Sequence, residues 1–182
     1  MDKPDEVLIQ ESLAGRTGSF DVLMCRYERL VYKVAYSFGS NRENALDITQ
    51  TVFLKAFHNL KTFRTDASFK TWLLRITYNE GVNWTRSPRN RPEFNDDLES
   101  ASATLSNEAG QESDLLLRER CTMIRRGLES LNDRYRTALL LRYVHEMPIR
   151  EIAGVLQCSE NLTKNILFRG VRSLKRSLAQ AG

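Results

Sequence analysis

The chain has 182 residues, 41% of them hydrophobic, with 27 Lys and Arg against 23 Asp and Glu and a formal net charge of +4. This is enough for one core of moderate size or two small ones. No run approaches the roughly 18 apolar residues of a membrane span and the acidic N-terminus lacks a secretory pattern, so a cytoplasmic protein is expected.

Charge is unevenly spread. Residues 1–86 carry 12 Lys and Arg against 10 Asp and Glu, residues 87–114 carry 2 against 7, and residues 115–182 carry 13 against 6. A net of +2, then −5, then +7 suggests two folded units around a polar connector, the second facing a polyanion. Cys25, Cys121 and Cys158 are odd in number and lack CxxC spacing, which argues against a disulfide framework or a Cys-based zinc site. All three are read as reduced thiols. Cys25 and Cys158, beside apolar helix positions, are expected in the core.

From Phe20, apolar residues at Leu23, Tyr27, Leu30, Val31, Val34, Ala35 and Phe38 share one helical face. Gly39, Ser40 and Asn41 supply stop chemistry, and a second helix is predicted from about Glu43 to Leu60 on Ile48, Val52, Phe53, Phe57 and Leu60. After a loop at about Thr62 to Ser68, a third helix over Phe69 to Thr85 is expected to bury Phe69, Trp72, Leu73 and Ile76. It would offer Lys70, Arg75, Asn79, Asn83 and Arg86 elsewhere. Residues 87–114 hold Pro88, Pro92, many small polar residues and few side chains able to offset ordering entropy, and read as a flexible acidic linker.

Periodicity resumes at Leu115, Leu116, Ile124 and Leu128 and again at Tyr135, Leu139, Leu140 and Tyr143. Pro148 sits where an N1 proline would open a short helix carrying Ile149, Ile152, Ala153 and Leu156. Ser159 is placed to cap a last helix with the stripe Leu162, Ile166, Leu167, Val171, Leu174 and Leu178. The fold expected is all-α: two small helical domains, 1–86 and 115–182, joined by the linker.

The short helix, the turn at Gln157 to Ser159 and the longer helix with Lys164, Arg169, Arg172, Lys175 and Arg176 look like a helix-turn-helix. Its second helix would meet base edges in the major groove while cations meet phosphates. A solvated basic face on an ordinary helical hairpin is the plainer alternative. From Phe63 to Arg86, aromatics alternate with cations at helix spacing, the pairing that single-stranded DNA binding requires. Phe69 and Trp72 are more often core than base platform, and Phe63 lies in the loop.

These residues resemble the extracytoplasmic-function sigma factors of bacterial RNA polymerase over nearly the whole chain outside the linker. The run Asp47-Ile48-Thr49-Gln50-Thr51-Val52-Phe53-Leu54-Lys55-Ala56-Phe57 is similar to the helix with which that family grips core polymerase. Asn59-Leu60-Lys61-Thr62-Phe63-Arg64, then Phe69-Lys70-Thr71-Trp72-Leu73, Arg75-Ile76, Asn79, Asn83 and Arg86, resemble its promoter-melting and minus-ten-reading segment. Arg142-Tyr143, Ile149-Arg150-Glu151-Ile152-Ala153, Lys164, Phe168 and Arg169 resemble its minus-thirty-five domain.

The resemblance implies roles toward polymerase for Asp47, Gln50 and Phe53. Toward minus-ten DNA it implies Phe63, Arg64, Lys70, Trp72, Arg75, Asn79, Asn83 and Arg86. Toward the minus-thirty-five duplex it implies Arg142, Ser159, Asn161, Lys164, Asn165, Phe168, Arg169 and Arg172. It also implies core RNA polymerase, promoter DNA and an anti-sigma factor as partners. Two departures stand out: Asn161-Leu162-Thr163 where the family usually has Gly-Thr-Val, and Ile166 in place of a polar residue. The acidic linker is either a solvating tether or, on the resemblance, a nucleic-acid mimic within the polymerase channels.

No enzymatic activity, cofactor or metal is expected. His58 and His145 are the only histidines, each read as a surface or capping residue, and no Gly-rich phosphate loop or HxxxH pair occurs. The rival reading from another class is a stand-alone helix-turn-helix regulator. It explains the C-terminal helices but gives no reason for the Asp47 to Phe57 run.

Overall fold

The computed structural model describes residues 3–39, 41–64, 67–87, 122–124 and 126–181. The predicted linker after Ser87, the apolar positions Leu115 and Leu116, and Cys121 lie outside them. Among the described residues the secondary structure is helical, without a strand, and no helix is long and apolar enough to cross a membrane.

Helix α1 (Asp5–Leu13) was not anticipated from periodicity. It buries only Leu8 and Ile9 and is held by polar ties to α2 (Thr17–Gly39). The Asp5 carboxylate accepts from the Arg26 guanidinium and the Tyr27 hydroxyl, and Glu11 accepts from Lys3 at 2.8 Å and Ser19 at 2.6 Å. Burial and the bond to Asp5 hold the Tyr27 phenol far above its ordinary pKa.

Asn41 caps α3 (Arg42–His58), its side chain accepting from the Asn44 amide at 2.8 Å, and a 3-10 turn follows at Leu60–Thr62. Ser68 caps α4 (Phe69–Arg86) at Thr71 N, 3.2 Å. Each such cap contributes about 1 kcal/mol. Helices α2, α3 and α4 pack together on Leu23, Val31, Val34, Ile48, Val52, Leu73 and Leu74, and Lys55 pairs with Glu80 at 2.7 Å.

In the second unit the backbone is helical at 122–124 and 126–129. Asn132 caps α5 (Asp133–Leu139), which runs into a wider π turn at Leu140–Val144. Pro148 stands at the N-cap, one position before the expected N1, its carbonyl accepting from Ile152, and α6 spans Ile149–Leu156. Helix α7 spans Glu160–Ala181. Leu139, Leu141, Met147, Ile152, Val155 and Leu156 are buried between these helices, and with the first unit's core they form one continuous cluster.

Two expected burials are corrected. Cys25 is exposed because it faces away from the buried stripe of α2, whereas Cys158 is half-buried against the core. Phe57 is 43% exposed while Phe53 is 6% exposed. The register of α3 thus turns Phe53 inward and leaves Phe57 at the margin, its ring edge-on to Phe20 at 5.1 Å.

Gly81 lies where α4 crosses α2, and a Cβ there would overlap the Phe38 ring. Alanine normally favours a helix over glycine by about 1 kcal/mol. Here Gly81→Ala should instead lower stability by roughly 1–3 kcal/mol through overpacking, seen as a lower urea midpoint. An unchanged or higher midpoint contradicts this account of the crossing.

Candidate nucleic-acid interface

The turn before α7 is fixed by three residues. Gln157 ends α6 in the left-handed region (φ 52°, ψ 50°). The Cys158 amide donates to Ala153 O at 3.0 Å. Ser159 accepts from the Leu162 amide at 3.2 Å, so the predicted cap forms and this hydroxyl is partly committed to the backbone.

Beyond the turn α7 divides into two faces. Thr163, Ile166 and Leu167 are buried, and Gly170 lets α5 approach, with Leu139 Cγ 3.3 Å from where its Cβ would stand. Asn161, Lys164, Asn165, Phe168, Arg169 and Arg172 are exposed, Phe168 by 70%. Of the departures from the family pattern, Thr163 and Ile166 therefore fall on the packing face. Leu162 is turned outward, correcting its assignment to the inner stripe. Arg142 is exposed, but its guanidinium donates to Met147 O at 3.1 Å and braces the turn ahead of α6.

On α4, Arg75, Asn79, Asn83 and Arg86 recur at helical spacing and are all exposed, forming one polar stripe. Trp72 is half-buried. Its ring packs against Phe63 at 5.4 Å and Phe69 at 5.6 Å, and Phe63 meets Phe69 at 5.8 Å. The three aromatics therefore support one another beside the stripe, and Phe69, 3% exposed, offers no stacking surface. Arg64 is exposed at the loop.

The outer face of α3 carries Asp47 and Gln50 among exposed Leu46, Leu54 and Phe57. Phe53 does not share this face, since its ring belongs to the core. The apolar members Leu46, Leu54 and Phe57 were missed as surface residues. A second apolar stripe on a helix already amphipathic was the available signal.

The two units touch along α4. Lys70 pairs with Glu151 at 3.5 Å, Gln157 accepts from the Arg75 guanidinium, and Thr85 donates to Asp133 at 3.0 Å. Arg136 lies over the Phe38 ring at 5.5 Å. A Cβ on Gly154 would come within 2.9 Å of Thr71 Cγ2, so the absence of a side chain permits this approach. Lys70 and Arg75, both assigned to DNA by sequence, are thus engaged by the helix-turn-helix unit. Nearby His145 is half-buried rather than superficial, and burial together with Lys33 and Lys70 lowers its pKa.

The comparisons fall on these same two units. Residues 23–91 match the family Sigma-70 region 2 and residues 121–174 match Sigma-70, region 4. The chain is 29% identical over 172 residues to the ECF RNA polymerase sigma-E factor of Escherichia coli K12, covering 91% of this chain and 89% of that one. Among solved structures it is similar to CnrH, described in complex with the cytosolic domain of CnrY (TM-score 0.71, 23% identity, 98% and 99% of the two chains). It is also similar to the sigma factor RpoE of Bartonella quintana, described with the anti-sigma factor NepR (TM-score 0.63, 20% identity, 88% and 96%).

The depressed pKa of His145 has a definite sign in stability. Above 6.5, the ordinary value, the ring is neutral whether folded or not and its contribution is intact. As pH falls below 6.5 the unfolded chain takes up a proton that the folded chain resists, and stability declines. Urea midpoints should therefore drop between about pH 7.5 and 5.5, and His145→Gln should flatten that drop. Identical pH profiles for the two proteins would remove His145 as the cause.

Proposed function

The chain belongs to the extracytoplasmic-function group of sigma-70 factors, transcription-initiation subunits and not enzymes, and we propose from this that it binds core RNA polymerase and directs promoter-specific initiation by holding minus-thirty-five duplex and melted minus-ten DNA. The work is divided between residues 1–86 and 115–182, with 87–114 as the connector. A cytoplasmic site of action follows from that role.

The carrying observation is the outer face of α3, where Asp47 and Gln50 stand among exposed Leu46, Leu54 and Phe57. Exposed apolar residues grouped on one helix face are the mark of a protein contact, and they fall on or beside the Asp47 to Phe57 run, the part of the chain for which a stand-alone regulator gives no reason. This face docks on polymerase. Phe53 supports it from behind by packing in the core.

Helix α7 meets the upstream duplex through Asn161, Lys164, Asn165, Phe168, Arg169 and Arg172, with Arg142 and Ser159 steadying the approach. Downstream, the α4 stripe of Arg75, Asn79, Asn83 and Arg86, with Arg64 and the Phe63–Trp72 edge, receives bases as they leave the stack. Unstacking costs a few kcal/mol, and capture of the flipped base offsets it. Lys70 and Arg75 join that surface once Glu151 and Gln157 release them, so docking on polymerase also opens the seam between the units. An anti-sigma factor is a further partner, a reading supported by the complex described for the Bartonella quintana protein, and it acts by covering the polymerase-facing surface on α3.

Core polymerase should confer promoter binding that the purified chain lacks by itself, and Asp47→Arg should reduce retention on immobilised core by roughly tenfold, the loss expected for a contact worth 1.4 kcal/mol. Site-specific binding without polymerase would favour the regulator instead. For Asn79→Ala, polymerase association should stay normal while permanganate reactivity of minus-ten thymines falls. Reactivity equal to that of the unmodified protein would exclude Asn79 from melting.

A further inference from the structure

The aromatic cluster beside the α4 stripe is not held from α4 alone. Phe69, 3% exposed, touches Phe63 at 5.8 Å and Trp72 at 5.6 Å, and it also meets the Tyr27 ring of α2 at 5.6 Å. Tyr27 is tied in turn to α1, where Asp5 accepts from its hydroxyl and from the neighbouring Arg26 guanidinium. Arg26 also donates to Lys3 O at 2.7 Å. A second path leads to the cluster from the same helix, because α1 lies against the 3-10 turn Leu60–Thr62, at whose end the Phe63 amide donates to Leu60 O at 3.1 Å.

Ring contacts alone hold such a cluster loosely. The torsion that tips an aromatic ring has broad wells, and each edge-on contact between rings is weak. A hydrogen bond to an ionised carboxylate is roughly twice as strong as one between neutral groups. The Asp5 carboxylate therefore pins the far end of the Tyr27 ring, and Tyr27 limits how far Phe69 can tip. Phe63 and Trp72, the half-buried members, rest on Phe69 and inherit its orientation. A base leaving the stack then meets an edge already in place, and its capture orders fewer side chains.

We infer that Asp5 and Tyr27 are positioning residues for base capture: acting through Phe69, they set the Phe63–Trp72 edge before the minus-ten strand separates. The inference rests on the sigma-factor reading and deepens it by naming what presets the receiving surface. The Sigma-70 region 2 match begins at residue 23, after α1 has ended, so α1 adds a brace from outside the matched segment. Glu11, which accepts from Ser19 at 2.6 Å, is a second tie between α1 and α2 that does not run through Tyr27. That bond separates attachment of the helix from positioning of the rings.

The test compares Tyr27→Phe, which keeps the ring and removes the hydroxyl, with Asp5→Ala and Ser19→Ala, each as the full chain and as holoenzyme reconstituted with core polymerase. The chain has two tryptophans, Trp72 and Trp84, so in a Trp84→Phe background fluorescence reports Trp72. Acrylamide quenching of Trp72 should rise in Tyr27→Phe and Asp5→Ala and stay unchanged in Ser19→Ala. On a promoter that the unmodified holoenzyme selects from a random library, with 2-aminopurine in the minus-ten element, the first two variants should slow base capture by roughly threefold to tenfold. Polymerase retention should be unaltered in all three, and Asp5→Asn, which keeps an acceptor oxygen, should recover part of the rate. The temperature is one at which circular dichroism shows every variant fully folded.

Capture at the unmodified rate in Tyr27→Phe and Asp5→Ala, or equal slowing by Ser19→Ala, overturns the inference and leaves the sigma-factor reading intact. Unchanged Trp72 quenching in the first two variants overturns it without reference to DNA. Failure of the unmodified holoenzyme to open any promoter in the library overturns the reading beneath it.

Discussion

Helix α4 has its side chains divided among three neighbours, and that division fixes which of them are left facing solvent. One side is pressed into α2, where Gly81 admits the Phe38 ring, and Leu73 and Leu74 fill the space toward α2 and α3. A second side receives α6 across Thr71 and Gly154. Only the line from Arg75 to Arg86 remains outward, and its polar composition follows because every apolar position is already in use. Fully burying a Leu side chain contributes roughly 1.5–3 kcal/mol, several times the value of any single polar tie at the seam. Packing therefore sets the orientation of α4, and the stripe inherits it.

The same logic governs α7 with different residues. Thr163, Ile166 and Leu167 hold the helix against the second unit, and a period of 3.6 then dictates which residues face away. Ile166 departs from the family pattern without consequence for the outer face, because a buried position answers to volume rather than to DNA. Asn161 and Leu162 depart where solvent, and hence a ligand, is met. Burial separates substitutions that preserve a fold from those able to alter what it recognises.

Much of this was legible in the amino-acid sequence, for reasons that also explain the errors. Helices α2, α3, α4, α6 and α7 announce themselves by apolar spacing, and the cap at Ser159 by residue type and position, whereas Asn41, read only as stop chemistry, proves to cap α3. Helix α1 escaped because it buries only the adjacent pair Leu8 and Ile9, too few for a periodic signal, and its polar ties to α2, Asp5 to Arg26 and Tyr27 and Glu11 to Ser19, are not periodic. Phe53 and Phe57 were both placed in the apolar set of α3, and that only Phe53 is buried is a matter of where the buried arc ends, which apolar spacing does not fix. The contact between the units was invisible. Gly154 facing Thr71, or Arg136 above Phe38, joins residues whose types suit many other surroundings.

Gln157 serves two demands that pull in opposite directions. Its backbone adopts a left-handed conformation that glycine takes without penalty and other residues take at a cost of about 1–2 kcal/mol. Glycine has no amide with which to reach Arg75, whereas Gln157 does. The corner between α6 and α7 thus tolerates local strain while the Gln157 side chain keeps the Arg75 guanidinium of the other unit occupied, and the turn and the tether meet in a single position.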